Sequence, residues 1–235
     1  MHYAIIAAGE GSRLVQEGVA LPKPLVDLDG RPMIKRLIDI MLDNNAESIA
    51  IIVNEQMTQV RQYLESLKLD TEFRLVVKTT PSSMHSFWEV SRAFPESGKF
   101  VLTTVDTIFR ADDFATYVEA FENAPAGTDG YMGVTSFIDD EKPLYVDVEP
   151  GSMKISGFKD QPFEGMKYIS GGIYGLTAPA LDVLRTCIGT GISRMRNYQR
   201  ALVESGLRLQ AWPFPKIVDV DHAADIATAR EFINQ

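Results

Sequence analysis

The alternation of short apolar runs with amphipathic segments in the first half of the chain constrains its fold more than any other feature. The run HYAIIAA is typical of a buried strand, and SIAIIVN, FRLVV and KFVLTTVD follow it at intervals that leave room for one helix each. Between the first two, PMIKRLIDIMLDNN carries its apolar residues at helical spacing. Strands that alternate with helices in this way form largely parallel sheets covered on both faces. We therefore predict an α/β fold.

The sequence changes character after this region. GYMGVTSF, LYVDVE, MKISGF and YISGGIYGL are β-like pieces separated by Gly, Pro and Asp turns, which indicates an antiparallel or mixed insertion on the sheet. Helical and strand-like segments then return, and HAADIATAREFINQ is predicted to be the last helix. No linker-like or repetitive segment interrupts the chain, so we predict a single domain over residues 1–235.

The composition of the chain indicates which classes of function are excluded and in which cellular compartment we expect the protein. The net charge of -9 argues against a nucleic-acid-binding protein, which normally carries a basic face. The single cysteine, Cys187, cannot form an internal disulfide and lies in an apolar segment, which predicts a buried thiol in a reducing compartment. The chain carries no apolar run of membrane-spanning length and no secretory leader pattern, so we expect a cytoplasmic protein without membrane partners.

The first strand runs directly into AAGEGSRL, a glycine loop with two interpretations. A dinucleotide-binding turn needs a third glycine, but Leu14 occupies that position, and the next strand ends in Asn54 instead of an acidic residue. A phosphate-binding loop explains more residues. Gly9 and Gly11 leave backbone N–H groups open to an anion, and Arg13 adds a fork of donors.

Lys23 adds a second cation to this loop. It lies between Pro22 and Pro24, whose fixed φ angles stiffen the backbone and aim the ammonium at a defined point. Two cations and a glycine loop indicate a site for a phosphorylated ligand such as a triphosphate.

AAGEGSRL followed by PKPL and GRPMI resembles the signature of the sugar-phosphate nucleotidyltransferases, and TTVDTIF, YISGGIYGL and VDVDHAADIATA extend the similarity more weakly along the chain. The resemblance implies a three-layer, Rossmann-like α/β/α domain with a mixed, mostly parallel sheet. It also implies Mg²⁺-dependent transfer of a nucleotidyl group from a nucleoside triphosphate to a sugar 1-phosphate, with release of pyrophosphate. Residues 1–110 would form the nucleotide-binding half, and residues 111–235 the sugar-phosphate half with the C-terminal helices.

Two aspartates are the candidate metal ligands. Asp106 ends KFVLTTVD and Asp221 ends KIVDVD, and carboxylates at the ends of strands face the ligand site of an open α/β sheet. Either residue could instead cap the following segment, and Asp219 is a second choice beside Asp221. The resemblance favours Asp106 and Asp221 as the Mg²⁺ ligands. The acidic turn DDEKP, residues 139–143, is interpreted as a solvated turn because its consecutive carboxylates point in different directions.

The resemblance also assigns the binding residues. Arg13 would balance the leaving pyrophosphate and Lys23 the charge at the α-phosphorus. The predicted nucleotide-binding residues are Ala7, Ala8, Gly9, Gly11, Ser12 and Ser83. The predicted substrate-binding residues are Lys159, Ser170, Gly171 and Gly172.

Two departures from the family pattern leave the substrates open. TPSSMHSFWEV replaces the usual small-residue turn beside the base, with His85 interpreted as a residue of the helix start, and GFKDQP places Gln161 where relatives carry a lysine. The alternatives are cytidylyl transfer to phosphocholine or a similar phosphoester, and a catalytically silent homologue that binds a nucleotide sugar. A dehydrogenase ranks last, and the oligomeric state, a homo-oligomer included, is left open.

Overall fold

A mixed β-sheet forms the centre of the structure, a computed structural model that describes residues 1–95, 98–139 and 141–234. The strands are β1 (His2–Ala7), β2 (Asp27–Leu28), β3 (Arg31–Pro32), β4 (Ser48–Val53), β5 (Glu72–Val77), β6 (Lys99–Thr104), β7 (Thr107–Ile108), β8 (Gly130–Thr135), β9 (Tyr145–Val148), β10 (Ile155–Lys159), β11 (Tyr168–Thr177), β12 (Leu209–Phe214) and β13 (Val218–Asp219).

The helices lie between these strands in chain order. They are α1 (Ser12–Gln16), α2 (Met33–Asp43), α3 (Thr58–Ser66), α4 (Ser83–Ser91), α5 (Ala111–Glu122), α6 (Pro179–Gly189), α7 (Met195–Glu204) and α8 (Ala223–Ile233), with a single 3₁₀ turn at Lys23–Leu25. Within the described residues, no helix has the length and apolar character needed to cross a bilayer.

The first half of the chain builds the parallel part of the sheet. β1 lies between β4 and β6, and β5 pairs with the outer side of β4, all in parallel. Every residue of β4 is buried, as expected for a strand covered on both faces. The α/β alternation predicted from the sequence is confirmed.

The later strands extend the same sheet. β11 pairs antiparallel with β6 and with β8, while β9 and β10 continue from it as an antiparallel pair and β12 runs parallel to β8. The register of β11 against β8 shifts between Ser170 and Ile173, which marks a bulge at the two intervening glycines. The β-rich pieces are therefore part of the central sheet, joined to its parallel half through β11.

Two hydrophobic cores cover the two faces of the sheet because alternate residues of each strand point to opposite sides. Ala4 and Ile6 belong to the core under α4, α6 and α7, whereas Tyr3 and Ile5 belong to the core under α2, α3 and α5. Cys187 lies in the first core at 2% exposure, and burial raises the pKa of its thiol, which agrees with the predicted buried cysteine.

A third, smaller core lies beyond the carboxyl ends of the parallel strands. Leu14, Leu28 and Val220 pack there with Phe232 of α8. This cluster ties the glycine loop region to the C-terminal helix, and so it brings residues that are about 200 positions apart in the sequence to the same place.

Candidate active site

The glycine loop and the turn after β6 lie side by side because their strands pair in parallel. Ile6 is in register with Thr104, and the N–H of Val105 donates to the carbonyl of Ile6 at 3.0 Å. The first residues beyond both strands, including Asp106, therefore emerge at the same edge of the sheet. This is the edge at which ligands bind in open α/β folds.

Gly11 brings Lys23 to this edge. Its φ of 62° lies in the left-handed region, and a Cβ at this position would lie only 2.9 Å from the Cβ of Lys23. The residue must be glycine for the backbone angle and for the close approach of the lysine. Gly9, in contrast, faces open space.

Lys23 joins the two predicted metal ligands. Its Nζ donates to Oδ2 of Asp106 and to Oδ1 of Asp221, each at 2.6 Å, and the residue is only 8% exposed. Nη1 of Arg13 donates to the other oxygen of Asp221 at 2.9 Å. The structure thus brings Arg13, Lys23, Asp106 and Asp221 together.

The charges in this cluster stabilise one another. Burial opposes ionisation of Lys23, but the two carboxylates outweigh it and the pKa of the ammonium lies above its ordinary value. Burial likewise opposes ionisation of Asp106, and the adjacent Lys23 ammonium nevertheless holds the pKa of this carboxyl below its ordinary value. Both groups are therefore charged at neutral pH.

Asp221 reaches the site through a short ribbon. β13 pairs antiparallel with β7 and not with the central sheet, and it is shorter than the run KIVDV suggests. The N–H groups of Asp221 and His222 donate to Oδ2 of Asp225, at 2.9 and 2.7 Å. Because Asp225 accepts these bonds and His222 is the N-cap residue of α8, the carboxylate of Asp221 is left for Lys23 and Arg13.

The hydroxyl groups of Thr104 and Thr107 lie next to Asp106. Oγ1 of Thr104 lies 2.7 Å from Oγ1 of Thr107, which also contacts Asp219 at 3.4 Å, and a hydrogen bond from Thr104 contributes to the low pKa of Asp106. A Cβ on Gly172, whose φ is 72°, would overlap both hydroxyls. Gly172 therefore has to lack a side chain so that it can pack against the hydroxyl groups of Thr104 and Thr107.

A cavity of about 380 Å³ lies between the glycine loop and the start of α4. Of the predicted nucleotide-binding residues, Ala8, Gly9, Gly11 and Ser83 line it, and Lys23 and Asp106 close one end. Ala7 is instead buried in the core within β1, and Ser12 begins α1; neither lines the cavity.

Further polar residues of this cavity were not predicted from the sequence. They are Glu10, Asn54, Thr79, Thr80, Ser82, Ser86 and Thr104. Asn54 is 5% exposed, and its Oδ1 accepts from the N–H of Gln56 at 3.0 Å and from the hydroxyl of Thr79 at 3.1 Å. Its position directly after the buried strand β4 is the sequence signal that could have identified Asn54 as a residue of the site. His85 does not line the cavity, and its ring contacts Ser82, in keeping with its interpretation as a helix-start residue.

A second cavity, of about 470 Å³, meets the first at Ser83, Thr104 and Asp106. The predicted substrate-binding residues Ser170 and Gly172 line it, and the hydroxyl of Ser170 donates to Gln199 at 2.8 Å. Its basic residues are Lys142, Arg194 and Arg196.

The other two predicted substrate-binding residues do not line the second cavity: Lys159 lies away from the site, and Gly171 lines a small neighbouring cavity with Arg13 and Asp221. The ammonium of Lys159 pairs with Asp147 at 2.7 Å and lies over the ring of Phe163, and Lys159 lines neither cavity. Gly171 faces Ile217, which a Cβ would overlap, so its lack of a side chain is explained by packing.

Arg194 has an unusual backbone. Its φ of 72° is rare for a residue other than glycine and is typical of strained positions near functional sites. Its N–H donates to Oγ of Ser82 at 3.1 Å, and the next N–H, of Met195, donates to Oγ of Ser83 at 3.4 Å. Within the part of the chain that the structure describes, its guanidinium has no ion pair.

The sequence carries a family match that agrees with this geometry. The model of the MobA-like NTP transferase domain matches residues 3–137, more than half of the chain. The protein belongs to this family.

Curated relatives of this MobA-like protein are longer than the chain itself. The probable mannose-1-phosphate guanylyltransferase 2 of Arabidopsis thaliana is 27% identical over 197 residues, which cover 77% of this chain and 52% of that protein. The bifunctional protein GlmU of Methanococcus maripaludis is 23% identical over 211 residues, or 88% and 48% of the two chains. The MobA-like chain thus spans about half the length of these relatives.

Among solved structures, the inositol-1-phosphate CTP transferase from T. maritima superposes on the MobA-like chain with a TM-score of 0.79, at 19% identity, over 99% of this chain and 97% of that one. This similarity establishes the fold. The expected Rossmann-like α/β arrangement of a mixed sheet with helices is confirmed.

The acidic pair of this MobA-like domain suits a hard divalent cation. Oxygens of Asp106 and Asp221 approach the same nitrogen at 2.6 Å each, so they are separated by at most twice that distance. Mg²⁺ in proteins is commonly bound by one or two carboxylates together with waters and substrate phosphates. Over residues 1–95, 98–139 and 141–234, no group of three or more His, Cys, Asp or Glu side chains forms a self-sufficient metal site. The donor set therefore fits an ion that is completed by phosphate oxygens.

The acidic turn at residues 139–143 borders the same site. Glu141 lies 3.9 Å from Arg13 and 3.5 Å from His222, while Asp140 lies outside the described residues. Glu141 is exposed, in keeping with the predicted solvated turn.

Proposed function

We propose that the protein is a Mg²⁺-dependent nucleotidyltransferase that transfers a nucleoside monophosphate from a nucleoside triphosphate to a sugar 1-phosphate. An oxygen of the acceptor phosphate forms a bond to the α-phosphorus, the bond from that phosphorus to the bridging oxygen breaks, and pyrophosphate leaves with the electron pair. The products are a nucleoside diphosphate sugar and pyrophosphate. The observation that carries the proposal is the cluster of Arg13, Lys23, Asp106 and Asp221. Within this cluster, Asp106 lines both cavities, Lys23 lines the first and Asp221 lines the second.

The first cavity is proposed to hold the nucleotide. Backbone N–H groups of Ala8, Gly9 and Gly11 would bind the phosphates, and Ser83 would lie near the sugar or base. Ala7 and Ser12, which flank the loop, remain predictions from the family resemblance. No nucleophilic side chain has to be activated because the acceptor phosphate is itself the nucleophile, and positioning and charge neutralisation are the main tasks of the protein.

The two cations of the cluster have separate roles in this proposal. Arg13, which is partly exposed, would bind the leaving pyrophosphate, and the buried Lys23 would neutralise the charge that develops at the α-phosphate. Both side chains would exchange a carboxylate for a phosphate oxygen when the nucleotide binds.

The second cavity is proposed to hold the acceptor. Ser170 and Gly172 line it, and Arg194 offers a guanidinium without an ion pair among the described residues. We assign the acceptor phosphate to Arg194, because Lys159 is engaged with Asp147 outside the cavity. The predicted contact of Gly171 with the substrate remains a prediction.

Asp106 and Asp221 would hold the Mg²⁺ ion. When bound, the ion supplies positive charge that neutralises the phosphates in the transition state. A cytoplasmic location belongs to the same proposal and is supported by the unpaired, buried cysteine.

The decisive experiment is a screen for pyrophosphate release. The four common nucleoside triphosphates are paired with a panel of sugar 1-phosphates and with phosphocholine, in Mg²⁺ and in excess EDTA. We expect one pair to give Mg²⁺-dependent release. Release with phosphocholine alone would favour the cytidylyltransferase alternative, and binding of a nucleotide sugar without turnover would favour the silent homologue.

Matched variants test the site itself. Asp106→Asn should lower the turnover by at least about 100-fold, in the range seen when one electrostatic contact to a transition state is removed. Asp147→Asn is the control, because it removes an aspartate that pairs with a lysine outside both cavities. Near-normal turnover in Asp106→Asn would remove the metal role and with it the proposed mechanism.

A further inference from the structure

A third cleft, of about 540 Å³, lies outside the candidate active site. It is formed by the β2–β3 hairpin, α2, the start of α5 and the end of α8, and it shares no lining residue with the two cavities described above. Three arginines line it: Arg31, Arg36 and Arg110. A concentration of guanidinium groups in a solvent-open cleft is typical of an anion site.

Arg36 is the most informative of the three. Its Nη2 donates to the carbonyl of Phe109, but its Nη1 is buried and has no hydrogen-bond partner within the described residues. Burial, and then the charge of Arg31, lower the pKa of this guanidinium to about 10. A buried donor without a partner is costly, and in a native structure it often marks a missing ion or water.

The other two arginines do not have their charge fully balanced in the cleft. Arg31 pairs with Asp39 at 3.2 Å, but Asp39 also accepts from Lys35, so one carboxylate serves two cations. Arg110 lies over the ring of Phe232 at 5.1 Å and, in the described part of the chain, forms no ion pair.

The carboxylates that line the cleft offset these cations only in part. Asp29 pairs with Arg230, which lies outside the cleft, at 3.9 Å, and it accepts a hydrogen bond from the amide of Asn234, which lines the cleft. Asp112 lies in the first turn of α5, where a carboxylate is stabilised by the helix dipole. Three guanidinium groups thus line the cleft against two carboxylates, of which Asp29 is already held by Arg230 outside the cleft and Asp112 has no ion pair among the described residues.

We propose that this cleft binds a phosphate group, as free phosphate or as a phosphate ester, at a site separate from the candidate active site. The fork of an arginine matches phosphate oxygens, and a dianion among three guanidiniums supplies the counter-charge that Arg36 lacks. Leu28 and Ile233 add apolar surface that an ester could cover.

Binding is measured without turnover, by isothermal titration calorimetry at low ionic strength. The titrants are inorganic phosphate and glucose 1-phosphate. The variants are Arg31→Gln/Arg110→Gln, which alters the cleft, and Arg13→Gln, which alters the candidate active site. Arg61→Gln is the control, because Arg61 is exposed and pairs only with Glu65 of its own helix among the described residues. Thermal melting verifies that each variant is folded.

We expect Arg31→Gln/Arg110→Gln to bind phosphate at least tenfold more weakly at the cleft. Arg13→Gln should keep the phosphate affinity of the cleft, and Arg61→Gln should bind phosphate as the unmodified protein does. Equal affinity for the two titrants would show that the phosphate alone is recognised, and tighter glucose 1-phosphate binding in the cleft would add contacts to the ester. Isotherms of the double variant that match those of Arg61→Gln for both titrants would overturn the proposal. Because Arg13→Gln is tested separately, a failure here is distinct from a failure of the proposed reaction.

Discussion

Replacing Lys23 with methionine tests the central cluster most directly. The substitution keeps most of the buried volume but removes the ammonium that contacts Asp106 and Asp221 at 2.6 Å each. Removing one partner of a buried ion pair costs about 3–5 kcal/mol, because it leaves charge uncompensated in a poorly solvated place. Since the side chain of Asp221 is 40% exposed and is screened by water, we expect the lower end, about 3 kcal/mol.

The assay is thermal and urea unfolding with and without divalent cations. For a chain of this size, about 3 kcal/mol corresponds to a fall in Tm of about 6–12 °C. Mg²⁺ or Mn²⁺ at millimolar concentration should raise the Tm of Lys23→Met more than that of the unmodified protein, because the ion no longer competes with the ammonium for the two carboxylates. Lys35→Met is the control: Lys35 forms a partly exposed i,i+4 pair with Asp39, which keeps Arg31 as a second partner, so we expect this substitution to cost only about 1 kcal/mol.

The pH dependence of this effect has a defined sign. Because Lys23 holds the pKa of Asp106 below its ordinary value of 3.8, the pair stabilises the fold above that pH, and this contribution is lost as the pH falls through the lower, folded-state value. The pKa of Lys23 is raised, so its contribution is complete below its ordinary value of 10.5 and is lost as the pH rises above that. The difference in the free energy of unfolding between the unmodified protein and Lys23→Met should therefore be largest near neutral pH. Equal losses in Lys23→Met and Lys35→Met, or no extra stabilisation by the metal ions, would refute the reasoning.

Three further substitutions have defined outcomes. Gly11→Ala should lower the free energy of unfolding in urea by about 2 kcal/mol, from a left-handed backbone and a crowded Cβ, whereas Gly18→Ala, which is also left-handed but faces open space, should cost only about 1 kcal/mol. Gly172→Ala should cost more than Gly18→Ala, because its Cβ would overlap the hydroxyl of Thr107; equal losses would contradict the packing argument. Given the proposed function, Arg194→Gln should raise the KM for the acceptor at least about tenfold and leave the KM for the triphosphate unchanged, as initial rates would reveal.

The sequence predicted the parallel half of the fold because its signals are local. The strands β1, β4 and β6 are continuous apolar runs, and α2 shows a clear helical period between two of them. Once these strands are paired in parallel, the positions of the glycine loop and of Asp106 at one edge follow from the geometry of the sheet. The place of Lys23 in the cluster could also be predicted, because its flanking prolines and the glycine loop are close to it in the sequence.

The residues around the second cavity are placed by long-range strand pairing that the sequence does not reveal. Lys159 lies at the end of β10, and the antiparallel pairing of β10 with β9 brings it to Asp147 instead of to the cavity. The bulge in β11 turns Gly171 toward Ile217 and Gly172 toward the hydroxyl groups of Thr104 and Thr107, a distinction that two adjacent glycines do not encode locally. Arg194 was not predicted because nothing in GISRMRN marks a left-handed arginine.

The two hydrogen bonds from the start of α7 to Ser82 and Ser83 connect the two cavities of the candidate active site. Both serines belong to the wall of the first cavity, and they hold the turn that carries Arg194 into the second. These two hydroxyl groups therefore link the wall of the first cavity directly to the start of α7, which lines the second. Given the proposed function, we expect the triphosphate to strengthen binding of the acceptor; an acceptor affinity that is the same with and without a non-hydrolysable triphosphate would contradict this coupling.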